Sequence, residues 1–191
     1  MGITILALIL LNILLMPLSP LHASPKIDIC YNFGCKQQKT VEFKTTTIKA
    51  LQSLFTPQAS NAKNERQRVQ KAIALLEQKV GKIAGTSQDI GGNYDPNRDY
   101  PRQMDCIDES TNTTNYLKLL DQLDLLKWHR PKKRSYRSRF LIDGHWTAVI
   151  EETRNQQLYA VDSWYEDNGQ PPEIQPLADW LKRRRPDDKN E

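Results

Sequence analysis

The chain is 191 residues long, little more than one ordinary domain, which excludes large multidomain machines. Its 27 basic and 23 acidic residues leave a formal charge of +4, short of the dense basic balance of proteins whose main partner is nucleic acid. Four Trp and seven Tyr, with strand-like apolar runs late in the chain, exclude a disordered protein.

Ile3 to Met16 is an almost unbroken apolar run, too short to span a bilayer comfortably, followed by Pro17, Pro20 and the small residue Ala23. It reads as a secretory signal peptide cleaved after Ala23, although no Lys or Arg precedes the run; an uncleaved anchor is the rival. Ile27, Asp28 and Ile29 stand before Cys30, so no lipoprotein box is present. The expectation is an exported protein, periplasmic or secreted, with no stable membrane insertion once the leader is removed.

Oxidising conditions pair cysteines, and there are three: Cys30, Cys35 and Cys106. Cys30 and Cys35 flank a turn-compatible stretch and form the natural local disulfide. Cys106 is left free, either as a small buried hydrophobe or as a reactive thiol.

Ile27 to Leu54 is polar and Thr-rich, with a short β-like stretch at Val41 to Phe43 and a helix around Ile48 to Phe55. From Ala62 to Ile83, Val69, Ile73, Leu76, Val80 and Ile83 recur at helical spacing opposite a face of mixed charge, predicting an amphipathic helix that packs on the domain. Gly85 to Gln103 reads as a long loop. Asp95, Asn97 and Asp99 imitate the opening of a calcium loop, but Tyr100 and Cys106 occupy the positions that require Gly and Glu, excluding that reading. Leu117, Leu120, Leu123 and Leu126 mark a helix ending near Lys127, and its backward extension puts Cys106 in the first turn. Asn112-Thr113-Thr114 matches a glycosylation sequon, a triplet frequent by chance.

His129, before Pro131, reads as an exposed turn residue. Lys132, Lys133, Arg134, Arg137 and Arg139 read as a solvated basic loop, with contact to an anionic envelope polymer or an acidic substrate as the alternative. Phe140 to Glu151 and Gln157 to Tyr165 read as the strands of a hairpin. Pro176 then opens a short helix through Leu177, Trp180 and Leu181, and the tail is solvated.

His145 lies on the first hairpin strand and Asp162 on the second. An even-numbered loop places both on one sheet face: directly opposite if the turn is Thr153-Arg154, diagonal if it is Arg154-Asn155. An imidazole that shuttles a proton and a carboxylate that fixes its tautomer are what a thiol nucleophile needs, and a helix N-terminus further favours the thiolate. Asp105, Asp108 and Glu109 act against this by raising the thiol pKa. Zinc held by Cys106, His145 and Asp162 lacks any supporting ligand spacing, and no metal or cofactor is expected.

The order Cys106, then His145 in Gly-His-Trp-Thr-Ala-Val-Ile, then Asp162 in Tyr-Ala-Val-Asp-Ser-Trp, resembles the transglutaminase-like cysteine peptidase superfamily, of bacterial exported type. The resemblance covers about Gln103 to Tyr165. It implies an α+β fold with a papain-like core, in which a Cys-bearing helix packs on an antiparallel sheet. It also implies Cys106 as nucleophile, His145 as base and acid, and Asp162 as the orienting residue. Met104-Asp105 before Cys106 and Ile107 after it depart from the family pattern. Gln103 is the candidate oxyanion donor, and Trp146 and Trp164 are candidates for a substrate groove when not core anchors.

The expected organisation is a leader (1–23), an N-terminal extension with a disulfide loop (24–61), a transglutaminase-like domain (62–185) and a disordered tail (186–191). The expected activity is thiol-dependent amide hydrolysis or acyl transfer on a peptide or protein; a catalytically inactive binding or assembly module of the envelope is the alternative. N-terminal mass spectrometry of protein secreted by a bacterial host is expected to find Ser24 as the first residue; an intact Met1 would remove the cleaved-leader reading.

Overall fold

The computed structural model describes residues 24–95, 101–138 and 144–183. The expected leader, the Phe140 end of the first hairpin strand, Arg139, Asn97 and Asp99 of the glycine-rich loop, and the tail lie outside these residues. The described chain is a mixed α+β fold with two antiparallel sheets.

A hairpin of β1 (Lys26–Tyr31) and β2 (Gln37–Glu42) comes first, followed by α1 (Thr45–Leu54) and α2 (Ala62–Ala84). The segment expected to be polar thus holds two strands, because Ile27, Ile29 and Val41 turn into the common core while Lys, Gln and Thr face out. Helix α2 starts where Asn61 accepts the Asn64 N–H at 2.9 Å and stops at Gly85, whose φ of 83° suits glycine. Val69, Ile73, Leu76 and Val80 are buried as their spacing predicts. Ile83 is 45% exposed, a correction to the expected stripe.

Helix α3 (Cys106–Gln122) carries the free cysteine as its first residue and ends five residues before the expected Lys127. It packs across a four-stranded sheet made of β3 (His129–Arg137), β4 (His145–Glu152), β5 (Leu158–Asp162) and β6 (Glu173–Pro176), in that spatial order. A short α4 (Leu177–Leu181) closes the described fold. Tyr116, Leu117 and Leu120 of α3 share one core with Ala148 and Ile150 of β4, Tyr159 and Val161 of β5, the apolar face of α2, and the N-terminal hairpin. Each fully buried aliphatic side chain contributes about 1.5–3 kcal/mol to that core.

Two expectations about the segment after α3 are corrected. The basic run is not a loop but strand β3 on the edge of the sheet. There Pro131 loses no needed ladder bond, and the lysines protect an open edge. His129 is fully buried instead of exposed, because it opens β3 beneath α2: its Nδ1 lies 2.9 Å from Glu65 Oε1. Glu65 also accepts the backbone N–H groups of Lys127 and Trp128, so one buried carboxylate on α2 fixes where the sheet begins.

Behind α3 lies a cluster of buried acids: Glu77 of α2, Asp89 of the following loop and Glu109 of α3. Asp89 Oδ1 accepts the Met104 N–H at 2.6 Å and Glu77 Oε2 the Gly169 N–H at 2.9 Å. Burial raises all three pKa values, Glu77 to about 8, Asp89 to about 7 and Glu109 well above the carboxylate range; neighbouring carboxylates add to the shift, Asp89 for Glu77, Glu77 and Asp89 for Glu109, and Asp108 and Asp167 for Asp89. Unfolded carboxyl groups ionise near pH ~4, so the folded state holds protons that the unfolded state releases. Stability therefore falls as pH rises from the ordinary carboxylate range through about 7 and about 8. Urea unfolding midpoints are expected to drop across this window, and Glu109→Gln to flatten the drop; a midpoint that rises over the same window would show the acids to be ionised in the fold.

Candidate active site

The site is built on the first turn of α3. Asp105 is its N-cap, accepting the N–H groups of Ile107 (3.0 Å) and Asp108 (2.9 Å), while the Asp108 carboxylate accepts the Asp105 N–H at 3.3 Å. Asp108 also takes the N–H groups of Phe33 and Cys35, each at 2.7 Å, and Asp105 Oδ2 takes that of Gly34 at 2.9 Å. These donors converge because Asn32, Phe33, Gly34 and Cys35 all have φ between 57° and 68°, a concave run of backbone that receives anions. The Cys30–Cys35 disulfide closes that loop, as the spacing predicts. Cys30, Cys35 and Asp108 lie close together, yet the sulfurs are bonded to each other and both Asp108 oxygens are occupied, so they form no metal centre.

The acids that follow Asp105 are used elsewhere: Asp108 secures the disulfide loop and Glu109 belongs to the buried cluster. Asp108 is raised to about 6 by burial first and by Asp105 second. Asn112 of the sequon is buried, its Oδ1 accepting the Cys30 N–H at 2.7 Å and its Nδ2 donating to the Cys30 carbonyl at 2.9 Å. In the folded chain it belongs to the packing of α3 on β1.

The hairpin register pairs Ala148 with Val161 and Glu151 with Leu158, the register of the Arg154-Asn155 turn, so Asp162 lies diagonal to His145 on the same face. Their side chains meet: His145 Nε2 is 2.7 Å from Asp162 Oδ2, with both residues buried. The same oxygen accepts the indole N–H of Trp180 at 2.7 Å. The imidazole sits among the rings of Trp164, Tyr165 and Trp180, at centroid distances of 4.9, 5.2 and 5.6 Å. Arg137, opposite His145 on β3, braces this cage: it donates to the Tyr165 hydroxyl at 2.7 Å and to the Trp180 carbonyl, and its guanidinium lies 4.1 Å from the Trp180 ring centre.

Cys106 reaches the backbone on either side of His145. Its Sγ lies 3.9 Å from the Gly144 carbonyl oxygen, and the Trp146 N–H points to the sulfur. No hydrogen bond joins the sulfur to the ring itself. With Nε2 engaged by Asp162, the nitrogen left for the thiol is Nδ1, the one nearer the ring's own backbone and hence nearer the segment that Cys106 touches. Burial pushes the thiol pKa up, and the carboxylates of Asp105 and Asp162 push it further.

The sulfur opens into a pocket of about 410 Å³ walled by Phe33, Asn93, Tyr94, Ile107, Tyr136, Trp146 and Trp164. Trp146 and Trp164 thus line it, as the groove reading has it. Gln103 does not: its buried amide accepts from the Ile90 N–H and Asn93 Nδ2 and donates to the Gln88 carbonyl, holding the loop in place. Asn93 stands in the wall that Gln103 was expected to occupy. Asn93, Trp180, Arg137 and Phe33 are the site residues that sequence reasoning misses. Trp180 alone carries a signal, as an aromatic at the buried step of the expected C-terminal helix.

Comparison with protein-family models, curated proteins and solved structures finds no match to this chain.

A raised thiol pKa has a kinetic signature. Iodoacetamide alkylation of Cys106 is expected to speed up with pH to an inflection above that of a free cysteine. Asp105→Asn, which keeps a capping oxygen but removes the charge, is expected to move that inflection down. An inflection below the ordinary thiol value in the parent protein would mean a preformed thiolate.

Proposed function

We propose that the protein is an exported thiol-dependent amide hydrolase or acyltransferase of transglutaminase-like, papain-like architecture, acting on a peptide or protein. The observation that carries the reading is the 2.7 Å pair between His145 at the start of β4 and Asp162 at the end of β5, next to the Gly144 carbonyl that Cys106 touches from the first turn of α3.

The chemistry follows from the donors and acceptors. In the base role His145 gives its Nε2–H to Asp162 and turns the lone pair of Nδ1 to the thiol. Rotation of Cys106 about its Cα–Cβ bond takes the sulfur from the Gly144 carbonyl toward Nδ1, and the proton moves as sulfur attacks the carbonyl carbon. The imidazolium then gives that proton to the departing amine as the C–N bond breaks, leaving a thioester. Water or a second amine attacks the thioester, His145 takes the incoming proton, and it passes that proton to the sulfur as the C–S bond breaks. Ile107 and Asp108 give their N–H groups to the cap, leaving the Cys106 N–H at the sulfur as one oxyanion donor; Asn93 in the pocket wall is the second. The aromatic cage keeps water from the His–Asp pair, and the Trp180 indole N–H fixes the orientation of the Asp162 carboxyl.

Export agrees with the apolar leader and with the Cys30–Cys35 disulfide. One observation favours a non-catalytic module instead: the resting thiol is bonded to a carbonyl and its pKa is raised. An acylation burst with p-nitrophenyl acetate separates the two readings. The expected result is p-nitrophenolate released in a burst equal to the protein concentration, with an acetyl adduct on Cys106 by mass spectrometry. The burst is expected to be absent in Cys106→Ala and about a hundredfold to ten-thousandfold slower in His145→Ala. A Cys106 that is never acylated, or a rate indifferent to His145, leaves the binding module.

A further inference from the structure

Beside the cysteine pocket runs a second concavity that the chemistry above does not use. It is an open groove of about 770 Å³ between α3 and the β3 edge of the sheet, lined by Thr114, Lys118, Asp121, Gln122, Pro131, Lys132, Lys133, Arg134 and Trp146. Trp146 belongs to both concavities, and Arg134 bonds the carbonyl of Ile107, which walls the cysteine pocket. A chain lying in the groove therefore passes Trp146 directly into the space beside the sulfur.

The charge of the groove is one-sided. Four cations face one carboxylate, and that carboxylate, Asp121, is turned to Arg130 at 3.7 Å. Lys132 is neutralised by Glu151 at 2.9 Å. Arg134 is fixed by the Ile107 carbonyl, the Ser110 hydroxyl and the Thr111 hydroxyl, with its guanidinium 4.9 Å from the centre of the Trp146 ring. Lys118 on α3 and Lys133 in the bulge of β3 remain, exposed on opposite walls and with no carboxylate partner among the described residues. The bulge between Lys132 and Ser135 interrupts the ladder where Lys133 and Arg134 stand, a device that re-aims side chains at an edge.

We infer that this groove is a substrate subsite for an acidic stretch of polypeptide. Lys118 and Lys133 would clasp its carboxylates from either side, while Arg134 and Trp146 pass the neighbouring residues to Cys106. The inference rests on the proposed thiol chemistry and names the class of its substrate: a protein with Asp or Glu next to the amide that is cut or transferred. Salt bridges at such an open rim select and steer a ligand more than they tighten it, so selectivity is the property to read.

The test uses full-length mature protein carrying Cys106→Ala, which has no nucleophile, and follows fluorescence anisotropy of labelled peptides at low and high salt. A peptide of alternating Glu and Ala is expected to bind at least about tenfold more tightly than its Gln counterpart, with the difference shrinking as salt rises. Lys118→Glu with Lys133→Glu is expected to abolish the preference. Lys63→Glu with Lys71→Glu, exposed on α2 away from the groove, makes the same change in net charge and is expected to preserve it. Equal binding of the two peptides, or a preference indifferent to Lys118 and Lys133, would overturn the inference. So would a single-stranded oligonucleotide bound as tightly through the same lysines, which would make the groove a general polyanion surface. Because binding is read without the nucleophile, its failure leaves the acylation result standing, and a failed acylation leaves the binding result standing.

Discussion

The rest of the site depends on how the first turn of α3 is held. A helix start leaves backbone N–H groups without partners, and here the Asp105–Asp108 capping box satisfies them while placing Cys106 as the first helical residue. The carboxylates that cap the helix also receive the N–H groups of the disulfide loop. Arg134 grips the same turn from β3, and Asn112, two turns on, locks α3 to β1. Cys106 thus sits at a point where the N-terminal hairpin, the helix and the sheet edge are cross-linked.

The His145–Asp162 pair is positioned independently, by strand register and by the cage behind it. Asp162 serves two donors with one oxygen, and Trp180 arrives from the last described helix to supply the second. The two half-sites meet at Gly144, His145 and Trp146. Gly144 lacks the side chain that would run into Tyr136, and its carbonyl faces the sulfur. A helix start and a strand start held by separate contacts meet there, with the sulfur against the carbonyl that precedes His145.

Much of this was legible where local pattern decides structure. The spacing of Val69, Ile73, Leu76 and Val80 revealed α2, and strand parity put His145 and Asp162 on one face before any register was known. Cys106 fell in a first turn by counting back from the leucines. What escaped depended on partners distant in the chain. Strand β3 is written in Pro, Lys and Arg, a composition that resembles a loop unless its place on a sheet edge is known. His129 became a core residue because Glu65, on another element, was there to meet it. Gln103 lies away from the pocket because a loop amide is placed by the hydrogen bonds it finds, and those partners lie 10 to 15 residues away. The α+β class and the two tryptophans of the pocket wall are therefore legible in the sequence, while Phe33 and Asn93 beside them are not.

The ring closed by Cys30 and Cys35 is distant in sequence from the cysteine at the helix start, yet the two are mechanically linked. Opening the ring would release a run of left-handed residues, Phe33 among them, whose conformation has little intrinsic support outside glycine. Asp105 and Asp108 would then lose the donors that offset their mutual repulsion, and the helix would fray from its first residue. The disulfide is in this sense a clamp on the helix start: a chain kept reduced would carry its third cysteine on an unfastened end, and the same chain after oxidation would carry it on a fastened one.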